Sequence, residues 1–160
     1  MAPRPKSLRD IKSNRPLFGF SPFGQSGNMM HEWRPLGPVL IVEDNADIRE
    51  MLSSYLQQDG YETVLATDGE DAMHQLGAGL RPCLIVLDLA MPVKDGFAFR
   101  REQRTAPELN AIPVVIYSAH YDARTQAAAL DAIPTTTSDG LADLDSLSQV
   151  VRANCLKTTA

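Results

Sequence analysis

The sequence predicts an α/β fold: a doubly wound, five-stranded parallel sheet with flavodoxin-like order and helices on both faces. Three observations carry this. Short runs of branched aliphatic residues recur between residues 38 and 155. A segment with helical spacing follows each run. The runs lack the polar alternation of a half-solvated strand, so they read as strands covered on both sides. In such sheets the functional crevice lies at the carboxyl ends of the strands.

The elements follow in order. Val39-Leu40-Ile41-Val42 is the first strand, and Asp44 or Asn45 caps the helix after it. Ile48, Met51, Leu52, Tyr55 and Leu56 repeat at helical spacing, and Gly60 ends that helix. Glu62 to Ala66 is the second strand. Asp68 caps a helix running to about Leu76, with Ala72, Met73 and Leu76 inward. Cys83 to Leu87 is the most apolar run and is expected at the centre of the sheet. The third helix, Gly96 to about Arg104, has a thin apolar face (Phe97, Phe99) crowded by Arg100, Arg101 and Arg104. Pro113 to Tyr117 is the fourth strand and Ala123 to Leu130 the fourth helix. Ile133 to about Thr137 is the fifth strand, where Pro134 suits an edge. Leu141, Leu144, Leu147, Val151 and Cys155 mark an amphipathic closing helix.

The net charge of −5 hides a split. Residues 1–37 carry +4, with five prolines and four glycines and no period of 2 or 3.6, and read as a disordered basic arm. Residues 38–156 form the folded domain and 157–160 a tail; together they carry −9. That balance excludes a generally basic nucleic-acid binder, so no direct DNA binding is expected. The longest uninterrupted apolar run, Cys83 to Leu87, is far too short to cross a bilayer. Two cysteines, Cys83 and Cys155, are too few for a disulfide scaffold, and each sits in an apolar pattern, which fits a reducing cytosol.

Chemistry concentrates at the strand ends. The first strand ends at Glu43-Asp44, the third at Asp88 and the fourth at Ser118. Converging carboxylates oppose each other's ionisation. A hard divalent cation such as Mg2+ removes the conflict in an all-oxygen site. A carboxylate on a rigid strand end beside such a cation is a candidate nucleophile toward phosphorus. Met91-Pro92 and Asp95-Gly96 frame Asp88 in a tight turn. The Ser118 hydroxyl can bond an added phosphoryl oxygen, with small Ala119 leaving room beside it.

Three segments, Val39 to Asn45, Leu84 to Gly96 and Pro113 to Ala119, resemble the receiver domain of two-component response regulators, in residue type and in mutual spacing. The resemblance covers roughly residues 38–155. It implies that Asp88 is the phosphoacceptor, taking its group from a histidine kinase or histidine phosphotransfer protein. It implies that Asp44, Asp88 and the Ala90 backbone carbonyl ligate Mg2+, with Glu43 acting through water, and that Ser118 is the switch hydroxyl. Such a domain is a cytoplasmic signalling module rather than an enzyme. It is expected here to stand alone and to act through a downstream protein at the face of the fourth helix, fifth strand and fifth helix.

One departure stands out. The family carries a lysine followed by proline at the end of strand five. Here the matching region reads Ile133-Pro-Thr-Thr-Thr-Ser-Asp-Gly140, and Arg124 is the only lysine or arginine between Ser118 and Val151. The usual strand-five aromatic is missing too. Neither Lys94 nor Lys157 is in register to replace the lysine. A degenerate receiver, working as a phosphorylation-independent interaction module, is the alternative. A haloacid-dehalogenase-type phosphatase wants a second acid two residues past its nucleophile, where this chain has Ala90. No glycine-rich nucleotide loop exists. His31, His74 and His120 share no zinc-ligand spacing, and His120 reads as a solvated loop residue.

Overall fold

The computed structural model describes residues 35–118, 123–135 and 143–156. The elements run β1 (Val39–Val42), α1 (Ala46–Gln58), β2 (Thr63–Ala66), α2 (Gly69–Gly77), β3 (Leu84–Leu87), α3 (Gly96–Thr105), α4 (Pro107–Asn110), β4 (Val114–Ile116), α5 (Ala123–Leu130), β5 (Ile133–Pro134) and α6 (Leu144–Cys155). The five strands form one sheet in the order β2-β1-β3-β4-β5, and every pairing is parallel. This is the predicted architecture, with the apolar β3 at its centre.

Alternation along the strands divides the core into two layers. Leu40, Val42, Ile85, Leu87, Val114 and Ile116 face one side, against Ala72 and Leu76 of α2, Phe99 of α3, Leu109 of α4 and Ala127 of α5. Val39, Ile41, Leu84, Val86 and Val115 face the other, against Leu52 and Leu56 of α1 and Leu147, Val151 and Cys155 of α6. Burial on both faces explains why these strands read as continuous apolar runs.

The caps follow the sequence. The Asn45 side chain accepts from the amides of Asp47 and Ile48, and that of Asp68 from Glu70 and Asp71. Gly60, at φ 90°, turns the chain out of α1 in the left-handed region that glycine tolerates. Pro134 lies on the edge strand, as expected. β5 is only two residues long within the described residues. Positions 136–137 of the predicted strand and Leu141 of the predicted closing helix lie outside them. α4 has no counterpart in the sequence reading: Pro107 opens a single turn at the first helical position, where its missing N–H costs no helix bond.

Two features correct the sequence reading. The guanidinium of Arg100, expected to crowd the apolar face of α3, is instead buried and donates to the carbonyls of Leu130 (3.0 Å) and Asp131 (2.6 Å) and to Gln103 Oε1 (2.8 Å). The amide of Gln103, fully buried, donates in turn to the carbonyls of Leu109 and Ile112. Polar groups thus take core positions because loop and helix-end carbonyls converge to satisfy them.

The cysteines are not two separate core thiols. Cys83 and Cys155 form a disulfide, joining the residue before β3 to the last residue of α6. Beside it the Leu36 amide donates to the Cys155 carbonyl (2.8 Å), and Pro35 pairs with Leu156 in an antiparallel bridge. The chain entering β1 and the chain leaving α6 therefore meet at the amino ends of the strands.

Candidate functional site

The carboxyl rim of the sheet is built by strand register. Val42 pairs with Leu87, and Leu87 with Ile116. One residue further, Glu43, Asp88 and Tyr117 stand side by side on three neighbouring strands. The ladder still holds there: the Asp88 amide donates to the Val42 carbonyl and the Tyr117 amide to the Leu87 carbonyl, both at 3.0 Å. By the period of two, all three side chains belong to the face covered by α1 and α6.

Glu43 and Asp88 are buried and Asp44 is exposed. Carboxylate oxygens of these three residues lie within 4.8 Å of one another. Glu43 Oε1 accepts from the Asn45 amide at 3.0 Å, and Asp88 Oδ1 from the Ala90 amide at 3.4 Å. Burial, reinforced by the charges of Asp88 and Asp44, pushes the Glu43 carboxyl up to about 7. Burial likewise raises the Asp88 carboxyl above the ordinary aspartate range, with Asp44 adding to it. The fold thus holds three acids closer than they can comfortably ionise together, and a divalent cation relieves that repulsion.

The surroundings fix Asp88. The Gly96 amide donates to the Leu89 carbonyl (3.2 Å), and Asp95 caps α3 through the Ala98 amide (2.7 Å). A Cβ at Gly96 would sit 2.4 Å from the Asp88 carbonyl oxygen, so only glycine lets α3 start this close to the acid. In the turn between them, Val93 adopts φ 68°, an unusual conformation for a β-branched residue.

Each sequence-predicted site residue lies at this rim. Glu43, Asp44, Asp88 and Ala90 line one cleft, with Asn45 and Tyr117. Ser118 is buried, and its Oγ makes no well-formed hydrogen bond among the described residues, though it lies close enough to the Asp88 carboxylate to favour its charged form. A buried hydroxyl so weakly engaged beside converging acids is the kind of donor an added oxyanion would satisfy. Ala119 and His120 lie outside the described residues.

The family lysine has no counterpart in the cleft among the described residues. No basic side chain lines it among the described residues. Lys94, the one lysine among them, is paired with Glu70 (2.7 Å) and with Glu102. Arg49 Nη1 donates to the main-chain carbonyls of Glu43 (2.8 Å) and Asp44 (3.3 Å), bracing the strand end from α1. Sequence reasoning missed Arg49 and Tyr117. The Tyr117 signal was present, since it stands two residues after inward Val115 and one before Ser118.

Comparisons with known proteins agree with this geometry. Residues 39–134 match the model of the response regulator receiver domain. Response regulator RR06 of Streptococcus pneumoniae is 34% identical over 93 residues, covering 58% of this chain and 41% of its own. The KDP operon transcriptional regulatory protein KdpE of Escherichia coli is 38% identical over 94 residues, covering 59% and 40%. The chain thus spans about two fifths of the length of these curated relatives. A response regulator receiver protein from Pseudomonas putida superposes with a TM-score of 0.64 at 28% identity, over 73% of this chain and 97% of that one. The response regulator TrrA of Thermotoga maritima, solved in complex with Mg2+ and a beryllium fluoride, gives 0.61 at 27% identity, over 74% and 98%.

Proposed function

Because the chain belongs to the response regulator receiver domain family, we propose that it accepts a phosphoryl group on Asp88 from a phosphohistidine donor and signals through protein contacts. The observation that carries this reading is the union of Asp88, two further carboxylates and a buried serine hydroxyl with no well-formed hydrogen bond among the described residues, all at one rim.

An Asp88 carboxylate oxygen attacks phosphorus, forming a P–O bond as the P–N bond to the donor imidazole breaks. The bonding pair leaves with the imidazole nitrogen, which takes a proton from solvent. Glu43, Asp44, Asp88 and the Ala90 carbonyl would hold Mg2+, which offsets the charge that builds on the phosphoryl oxygens. The Ala90 amide, already directed at Asp88 Oδ1, keeps the nucleophile in place. Ser118 Oγ, next to the Asp88 carboxylate, donates to a phosphoryl oxygen.

The donor is a histidine kinase or a histidine phosphotransfer protein, and the domain acts in the cytoplasm. The Cys83–Cys155 disulfide runs against the reducing compartment that two unpaired core thiols would fit. Output runs through the face of α5, β5 and α6 to a protein partner. Among the described residues no helix is long and apolar enough to cross a membrane.

The test is incubation with acetyl phosphate and Mg2+, followed by intact mass. A phosphoryl adduct on the wild type, absent from Asp88→Asn, is expected. The cleft free of basic side chains supports a second reading, a phosphorylation-independent interaction module. No adduct and no Mg2+ binding would replace the first reading with that one.

A further inference from the structure

We propose that Tyr117 is a phosphoryl-binding residue of this site, its hydroxyl donating to an oxygen of the group carried by Asp88. The inference rests on the phosphoacceptor reading of Asp88 and assigns a role to a side chain that reading does not use.

A phosphoryl group brings about −1.5 to −2 charge and three acceptor oxygens to the cleft. Those oxygens need donors. No basic side chain lines the cleft among the described residues, and Lys94 faces Glu70 and Glu102. Neutral donors must therefore do more of the work. Ser118 offers one hydroxyl.

Register supplies the next. Tyr117 is the neighbour of Asp88 one strand over, on the same face of the sheet, about 4.8 Å away at the backbone. Its ring packs against the α1 and α6 core layer and is half-buried, while the residue lines the cleft with Asp88 and Glu43. No hydrogen bond engages its hydroxyl among the described residues. A ring anchored by packing loses little freedom when its hydroxyl binds, since only two side-chain torsions are involved.

The next position along the row does not compete. Thr135 continues β5 in register with Tyr117, and it is fully buried with its hydroxyl donating to the Ile116 carbonyl at 2.7 Å. A donor already bound to main chain is not free for a ligand. Tyr117 is thus the aligned side chain beside Asp88 that still carries an open donor.

The test compares wild type, Tyr117→Phe and Asp88→Asn by calorimetric titration with beryllofluoride in saturating Mg2+, and with Mg2+ alone. Phenylalanine keeps the packing and removes only the hydroxyl. Tyr117→Phe is expected to weaken beryllofluoride binding about tenfold or more, as loss of one hydrogen bond to a charged acceptor does. Its Mg2+ affinity and melting temperature should match wild type. Equal beryllofluoride affinity in the two proteins would overturn the proposal, as would an equal loss of Mg2+ affinity. A wild type that binds no better than Asp88→Asn would instead remove the phosphoacceptor reading, and this one with it.

Discussion

Reducing the Cys83–Cys155 bond should cost the domain a large share of its stability. The two residues are 72 apart in sequence. Closing a loop of that length removes about 15 cal/mol/K of entropy from the unfolded chain, or about 4 kcal/mol at 25 °C. Domains of this size hold roughly 5–15 kcal/mol in all. Both cysteines are buried among Val151, Leu147 and their neighbours, so the reduced thiols stay packed and the native fold should persist. The assay is urea unfolding followed by circular dichroism, with and without a phosphine reductant. With a slope of about 2 kcal/mol per molar urea, the midpoint should fall by about 2 M on reduction. A Cys83→Ala, Cys155→Ala double variant should unfold at lower urea still, because it also loses sulfur packing, and should ignore the reductant. Coincident midpoints for oxidised and reduced wild type would refute the argument. So would two titratable thiols in protein denatured without reductant.

The other predictions concern the site and its frame. Glu43 binds its proton more tightly in the fold than when unfolded, so its favourable contribution is full below about pH 4.5 and lost as pH rises through about 7. Metal-free wild type should therefore lose stability relative to Glu43→Gln across that window. Mg2+ affinity should rise over the same window, and a flat Mg2+ titration from pH 5.5 to 8 would contradict the assignment. Gly96→Ala should force the Asp88 main chain to shift, since its Cβ would lie 2.4 Å from that carbonyl oxygen; slower uptake from acetyl phosphate and a lower melting temperature are expected. Arg100→Met strands the Leu130 and Asp131 carbonyls and should cost about 3 kcal/mol in chemical denaturation. Val93→Gly should raise stability by about 1 kcal/mol, because glycine adopts the φ of 68° without strain.

The sheet was legible because its strands are buried on both sides, which leaves an unbroken aliphatic signal in β1, β3 and β4. The acid cluster was legible because strand ends in a parallel sheet share one rim, so Glu43, Asp44 and Asp88 could be placed together from topology. Other features depend on distances that sequence does not carry. Cys83 and Cys155 meet only because α6 runs back to the start of β3. Arg100 and Gln103 look like surface residues until the carbonyls of α4, α5 and their flanking turns arrive to satisfy them. Pro134, which has no amide to offer a ladder, fits β5 to the edge of the sheet. Tyr117, an aromatic at the end of an apolar strand, reads as core from sequence, and only the register places it beside Asp88.

The bridge between Pro35 and Leu156 also bears on modularity. Entry and exit lie side by side at the sheet's amino edge, a strand's length from the acidic rim. A receiver with such neighbouring ends can be spliced into a longer polypeptide through one narrow neck without disturbing its cleft. It should equally tolerate circular permutation, with Pro35 and Leu156 joined by a short linker and new ends opened after Gly79, past the C-cap of α2.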